Sequence, residues 1–250
     1  MLKLKLMPPI ASLTELTVAQ GEKLAWGRRT YVMGVINLTP DSFSGDGLGS
    51  DIPAIVEQAL RMETEGADIL DVGAESTRPG STPITAEEEL ARLIPALEAI
   101  ASRARLPISV DTYKAPVARQ AIQAGAALIN DVWGLKADPH IAEVAAETGV
   151  PLILMHNQEN RQYRHLLPDI LASLSHSIQL ARRAGVPAEN IVVDPGIGFG
   201  KTPDHTLEIL RRLGEFKGLG CPLLVGTSRK STIGLVLDLP PDQRVEGTAA

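Results

Sequence analysis

The stretch PLILMHNQENRQYRHLLPDILASLSHSIQLARRAGVPAENIVV, residues 151–193, decides the fold. It opens on a short apolar run, 151–155, closes on another, 191–193, and carries an amphipathic stretch, 167–184, between them. Runs that are apolar throughout, without in-out alternation, suit strands covered on both faces, so a parallel sheet with the helix as crossover is expected. Outward from this unit the same alternation repeats. Further strands are expected at 31–36, 68–72, 107–110, 127–130 and 222–225, and helices at 52–65, 86–102, 117–124, 139–148 and 204–213. Helix starts carry caps at Asp51 with Pro53, Thr85 with Glu88, and Asp138 with Pro139.

Repeated βα units of even composition imply an α/β protein, either a closed barrel or a doubly wound sheet. No Ser/Gly/Pro-rich linker divides the chain, so one domain over 1–250 is expected, with 1–30 an extension ahead of the first barrel strand that covers the barrel's lower end. A (β/α)8 TIM barrel uses about 250 residues. Seven strands are visible, and an eighth is not covered by the 250 residues. Open edges are avoided in stable sheets, so the natural polypeptide is expected to continue for another strand and helix. An intact mass of 26.6 kDa for the native protein would refute that.

Composition narrows the function. Thirty Asp and Glu against 24 Lys and Arg give a net charge of −6, and no Lys/Arg-rich run offers a footprint for nucleic acid. The single cysteine, Cys221, cannot close an intrachain disulfide, which favours a reducing compartment, the cytoplasm by default. Pro8 and Pro9 interrupt the start before any apolar stretch of signal-peptide length, and no window has the ~18 apolar residues of a membrane span.

Polar side chains follow nearly every strand: Asn37; Asp71 leading into Glu75 and Thr77; Asp111; Asn130 with Asp131; His156; Asp194; Ser228 with Lys230. Taken singly, each is as well read as a helix cap or turn former. In a barrel, all those strand ends converge on the face where active sites are built. The loop 37–47 is dense in hydroxyls, glycines and carboxylates, suiting a lid. The loop 75–81 sets Arg78 among hydroxyl donors, suiting a phosphoryl group, and 226–231 holds two adjacent cations. Gly200-Lys201-Thr202 ends like a phosphate-binding loop, but the first glycine of that pattern falls on Pro195, which argues against ATPase or GTPase chemistry. The five histidines lack zinc-ligand spacing, whereas oxygen ligands around Asn37 would suit Mg2+ bridging to substrate phosphates.

Met33-Gly-Val-Ile-Asn-Leu-Thr-Pro-Asp-Ser-Phe43, Asp71-Val-Gly-Ala-Glu-Ser-Thr-Arg-Pro-Gly80, Ser109-Val-Asp-Thr112, Ile129-Asn-Asp131, Asp194-Pro-Gly-Ile-Gly-Phe-Gly-Lys201 and Gly226-Thr-Ser-Arg-Lys230 closely resemble the dihydropteroate synthases. The resemblance runs from residue 33 to the end, in the family's order. It implies a pterin-binding (β/α)8 barrel that condenses 6-hydroxymethyl-7,8-dihydropterin diphosphate with p-aminobenzoate, giving 7,8-dihydropteroate and pyrophosphate in folate biosynthesis. It implies Asp111, Asn130, Val132, Met155, Asp194, Gly226 and Lys230 around the pterin, with Asp111, Asp194 and Lys230 catalytic. Thr77, Arg78, Pro79, Phe199 and Ser228 match the p-aminobenzoate pocket. Asn37, Thr77 and Arg78 match the diphosphate contacts, with Asn37 also the Mg2+ ligand. A homodimer is usual in the family, and its Arg-x-His pair on the eighth strand lies beyond these 250 residues. The alternatives are a pterin-dependent methyltransferase of the same fold and a non-catalytic pterin-binding protein.

Overall fold

The computed structural model describes residues 15–17, 23–27, 29–39, 51–76 and 81–249. Its elements run β1 (Glu15–Thr17), β2 (Lys23–Ala25), β3 (Met33–Asn37), α1 (Ile52–Glu65), β4 (Ile69–Gly73), α2 (Ala86–Ala101), β5 (Ile108–Asp111), α3 (Ala115–Gln123), β6 (Leu128–Asp131), α4 (Ile141–Thr148), β7 (Leu152–Met155), α5 (Leu166–Arg183), β8 (Ile191–Asp194), α6 (Pro203–Arg211), α7 (Ser231–Leu237) and α8 (Val245–Ala249). Strands β3 to β8 pair in parallel and in sequence order, each joined to the next through a helix. This is the strand sequence of an α/β barrel wound in one direction.

The expected strand at 222–225 is reduced to a single parallel bridge between Val193 and Leu223. Val193 donates its amide to the Pro222 carbonyl (3.0 Å) and accepts from the Leu224 amide (2.9 Å). Pro222 has no N–H to extend the ladder downward. At the other edge, β3 pairs with β4 alone among the described residues. Val35, which points into the barrel beside Asp71, is therefore 49% exposed.

Helices cover the outer faces of the strands, so β4, β6, β7 and β8 are buried along their whole length, as their unbroken apolar runs require. Two of the three expected caps form. Asp51 accepts from the Ala54 amide (3.2 Å), and Thr85 with Glu88 makes a reciprocal capping box at the start of α2. The third does not: α4 begins at Ile141 without a side-chain cap. Asp138 instead accepts from the His140 amide (3.0 Å) and, across the sequence, from the Ala115 amide at the first turn of α3 (2.8 Å). It thus satisfies a helix start that has no capping side chain of its own.

Alternation along the strands sorts the barrel interior into layers. The lowest is apolar. There Leu16 and Leu24, paired across the antiparallel β1–β2 hairpin, pack against Ile69, Leu128, Ile153 and Val192, with Trp26 and Met33 alongside. The hairpin thereby closes the N-terminal end of the barrel, and Arg29 bonds Asp68 through both guanidinium nitrogens beside it (2.8 and 2.5 Å). Above this plug the interior turns polar.

Candidate active site

The polar layers belong to the C-terminal ends of the strands. Backbone register aligns Asn37 with Gly73, Gly73 with Asp111, and Asp111 with Asn130, while Met155 pairs with Asp194. Two residues before Gly73, Asp71 pairs with Val35 on one side and Ser109 on the other. Gly73 matters here by what it lacks, because a Cβ at that position would lie 3.4 Å from the Asp111 carboxylate.

Asp111, Asn130 and Asp194 thus meet at one mouth. Asn130 donates through Nδ2 to Oδ2 of Asp71 (3.0 Å), a bond buried in the barrel. Oδ1 of Asp71 and Oδ1 of Asp111 are both buried without a hydrogen-bond partner among the described residues. Burial drives the Asp111 carboxyl well above the usual carboxylate range, and the negative charges of Asp71, Glu89, Asp131 and Glu75 add to the effect. Burial raises Asp71 to about 6 against the opposing pull of the Ser109 hydroxyl and the Asn130 amide. Asp194 is raised to about 6 by burial, and the Gly196 N–H, Lys230 and Lys201 restrain the rise.

Cations face these acids. Burial lowers the Lys230 ammonium, while both Asp194 and Asp111 hold it charged, which places all three within electrostatic reach of one another. Its Nζ lies 4.4 Å from the centre of the Phe199 ring, a cation–π contact. Met155 and Val132 are buried beside this mouth. Gly226 and Ser228 are exposed. Thr77, Arg78 and Pro79, expected around p-aminobenzoate and diphosphate, lie outside the described residues.

Two groups were missed by the reading from sequence. Lys201 is 4% exposed and donates to Nδ1 of His156 (3.0 Å) and to the Phe199 carbonyl (2.9 Å). Burial lowers it to about 7 and, with the charges of Lys201 and Lys136, takes His156 down to about 3, so the imidazole is a neutral acceptor. The lysine pins the turn after β8, where the Asp194 carboxylate accepts from the Gly196 amide (2.6 Å). That turn needs glycines: Gly196 has φ +70°, and a Cβ there would lie 2.0 Å from the His156 carbonyl oxygen. The second group is Lys114, which bonds both Glu75 and Glu89 and bolts the end of β4 to α2, with the Tyr113 hydroxyl also donating to Glu75 (2.6 Å). A lysine directly after a glycine-rich turn is the available signal for Lys201, which closes the motif Asp194–Lys201 but carries no assigned role in it.

Asn37 ends β3 on the inward face, half-buried, with an amide oxygen of the hard type that Mg2+ accepts. One neutral donor leaves the remaining coordination positions to water and phosphate oxygens, which fits the habits of that ion. Among the described residues, no cluster of three His, Cys, Asp or Glu could hold a metal by itself. No helix among them is long and apolar enough to cross a membrane.

Comparison with known proteins agrees with this geometry. Dihydropteroate synthase of Clostridium beijerinckii is 54% identical over 224 residues, covering 90% of this chain and 83% of the relative. Among solved structures, a Xanthomonas albilineans dihydropteroate synthase with 4-aminobenzoic acid superposes with a TM-score of 0.87 at 41% identity, covering 94% of this chain and 86% of that one. A Yersinia pestis dihydropteroate synthase in complex with a sulfonamide drug superposes at 0.88 and 42% identity, covering 93% and 86%. The sequence pattern of the family described as "Pterin binding enzyme" matches residues 33–250. With its acids and amide gathered at the mouth of such a barrel, the chain belongs to the pterin-binding enzyme family and, within it, to the dihydropteroate synthases.

Proposed function

We propose that the chain condenses 6-hydroxymethyl-7,8-dihydropterin diphosphate with p-aminobenzoate to give 7,8-dihydropteroate and pyrophosphate. The observation that carries this reading is the set of two carboxylates and an amide, Asp111, Asp194 and Asn130, on strands of one mouth, with Lys230 within electrostatic reach of both carboxylates. A pterin edge is a row of ring and amino N–H donors, and ionised carboxylates satisfy such donors with strong charge-assisted bonds. Val132, Met155 and Gly226 would line the ring faces, and Lys230 would meet its acceptor atoms.

The reaction follows from the charges. The bond between the pterin methylene and diphosphate oxygen breaks first, and the electron pair leaves with pyrophosphate. The positive charge left on the pterin methylene is spread into the ring and held by Asp111 and Asp194. The unprotonated aromatic amine then bonds to the methylene carbon and releases one proton to solvent. No strong general base is needed. Asn37, Thr77 and Arg78 would hold the diphosphate, and Asn37 would hold Mg2+, which when bound neutralises phosphate charge. Thr77, Arg78, Pro79, Phe199 and Ser228 would frame p-aminobenzoate, with Lys230 stacked on Phe199 joining the two pockets. The relative solved with 4-aminobenzoic acid supports that half of the reading. A single domain acting in the cytoplasm as a homodimer completes the proposal.

Incubation of the protein with dihydropterin diphosphate, p-aminobenzoate and Mg2+, scored by mass spectrometry, should show dihydropteroate with matching pyrophosphate. Pterin binding without product would contradict the assignment.

A further inference from the structure

Asp71 has no evident structural purpose. It sits in the middle of β4, 4% exposed, two residues above Ile69 of the apolar base, inside the barrel, where branched apolar side chains usually fill the space. One of its oxygens has no partner within hydrogen-bond distance among the described residues, the Ser109 hydroxyl offers it only a weak counterweight to burial, and its charge repels that of Asp111. A buried carboxylate beside another is a cost to folding. What Asp71 does make is one buried bond, accepted from Nδ2 of Asn130 at 3.0 Å.

That bond constrains an otherwise ambiguous group. An asparagine amide carries a donor end and an acceptor end of nearly equal shape, whereas an ionised carboxylate can only accept. With Asp71 against it, the amide must turn its NH2 toward that carboxylate, and its planarity sends the carbonyl oxygen away from it. We infer that Asp71 is a positioning residue that fixes the Asn130 amide with its carbonyl oxygen presented to the pterin. The mouth then offers three acceptors in a row, Asp111, Asn130 Oδ1 and Asp194, and selects heterocycles whose edge is rich in N–H. This inference rests on the pterin reading above and adds to it the reason for the site's polarity.

The test is a set of variants titrated calorimetrically with 6-hydroxymethylpterin, alongside thermal melting. Asp71→Val supplies the branched side chain usual in this layer and removes the acceptor. It should melt no lower than the wild type while binding pterin roughly ten- to a hundredfold more weakly, the range for a mispaired buried hydrogen bond. Asp71→Asn keeps an acceptor oxygen for Asn130 and should stay within about threefold of wild-type affinity. In an Asn130→Ala background the loss caused by Asp71→Val should disappear, because Asp71 acts through that amide. Wild-type affinity in Asp71→Val, or an equal loss with and without Asn130, overturns the inference. So does a large drop in melting temperature for Asp71→Val, which would make Asp71 a packing residue. Failure of the pterin reading looks different: Asn130→Ala and wild type would then bind pterin alike, or neither would bind it.

Discussion

Two carboxylates at the mouth, Asp111 and Asp194, share a chemistry but not an environment. Asp111 has one oxygen with no partner among the described residues and other acids around it, while Asp194 has a backbone N–H and two lysines to restrain it. Replacing Asp111 by alanine removes a pterin anchor and a compensating charge together. Turnover of Asp111→Ala should fall by at least about a hundredfold in the dihydropteroate assay, with melting temperature preserved. Asp194 makes a prediction with a defined sign. Its value of about 6 in the folded protein lies above the ordinary 3.8 of an aspartate, so the folded protein takes up this proton at higher pH than the unfolded chain. The charged form therefore weakens the fold above about pH 6, and the penalty fades as pH falls toward 4. Asp194→Asn should be more stable than wild type at pH 7 by denaturant titration, and that advantage should shrink at pH 4.5. Pterin affinity of the wild type should drop over the same descent, as the carboxylate stops accepting.

Elements explain both what could be read from sequence and what could not. The turn from β8 to α6 is the most constrained. Gly196→Ala would press a methyl group against the His156 carbonyl at a positive φ, costing about 2–4 kcal/mol in chemical denaturation. Helix α1 was legible to its last residue because Asp51 and Gly66 punctuate it in sequence. Strand starts were set one residue early at Pro107 and Pro151, since apolar character begins at the proline while the ladder waits for the first N–H, at Ile108 and Leu152. Strand ends were set early where the last ladder residue is polar, as at Asn37, Asp111 and Asp194: hydropathy reads the side chain, but the ladder is backbone. The catalytic candidates that end strands were therefore visible as a phased set. Asp71 was noticed but given no role, because a run buried on both faces shows no alternation to tell inward from outward. Thr77 to Pro79 stay outside the described residues.

At the scale of the molecule, the barrel divides into an apolar base and a polar top, and the two respond differently to mutation. Leu24→Ala empties part of the plug and should cost about 2–5 kcal/mol by denaturant titration. Pterin affinity of the folded fraction should stay unchanged, because the two leucines of the hairpin pack in the apolar cluster of Ile69, Leu128, Ile153 and Val192. A concurrent loss of affinity would show that base and top are coupled. The hairpin formed by β1 and β2 has a consequence for biosynthesis. Every βα unit can dock on its predecessor as the chain lengthens, but Leu16 and Leu24 need Ile69, Leu128, Ile153 and Val192 together. The hairpin leaves the ribosome ahead of the residues it packs on and is thus among the last elements to find its place, its two leucines left in water until residue 192 has emerged, and a chaperone that shields nascent apolar segments has an obvious client there.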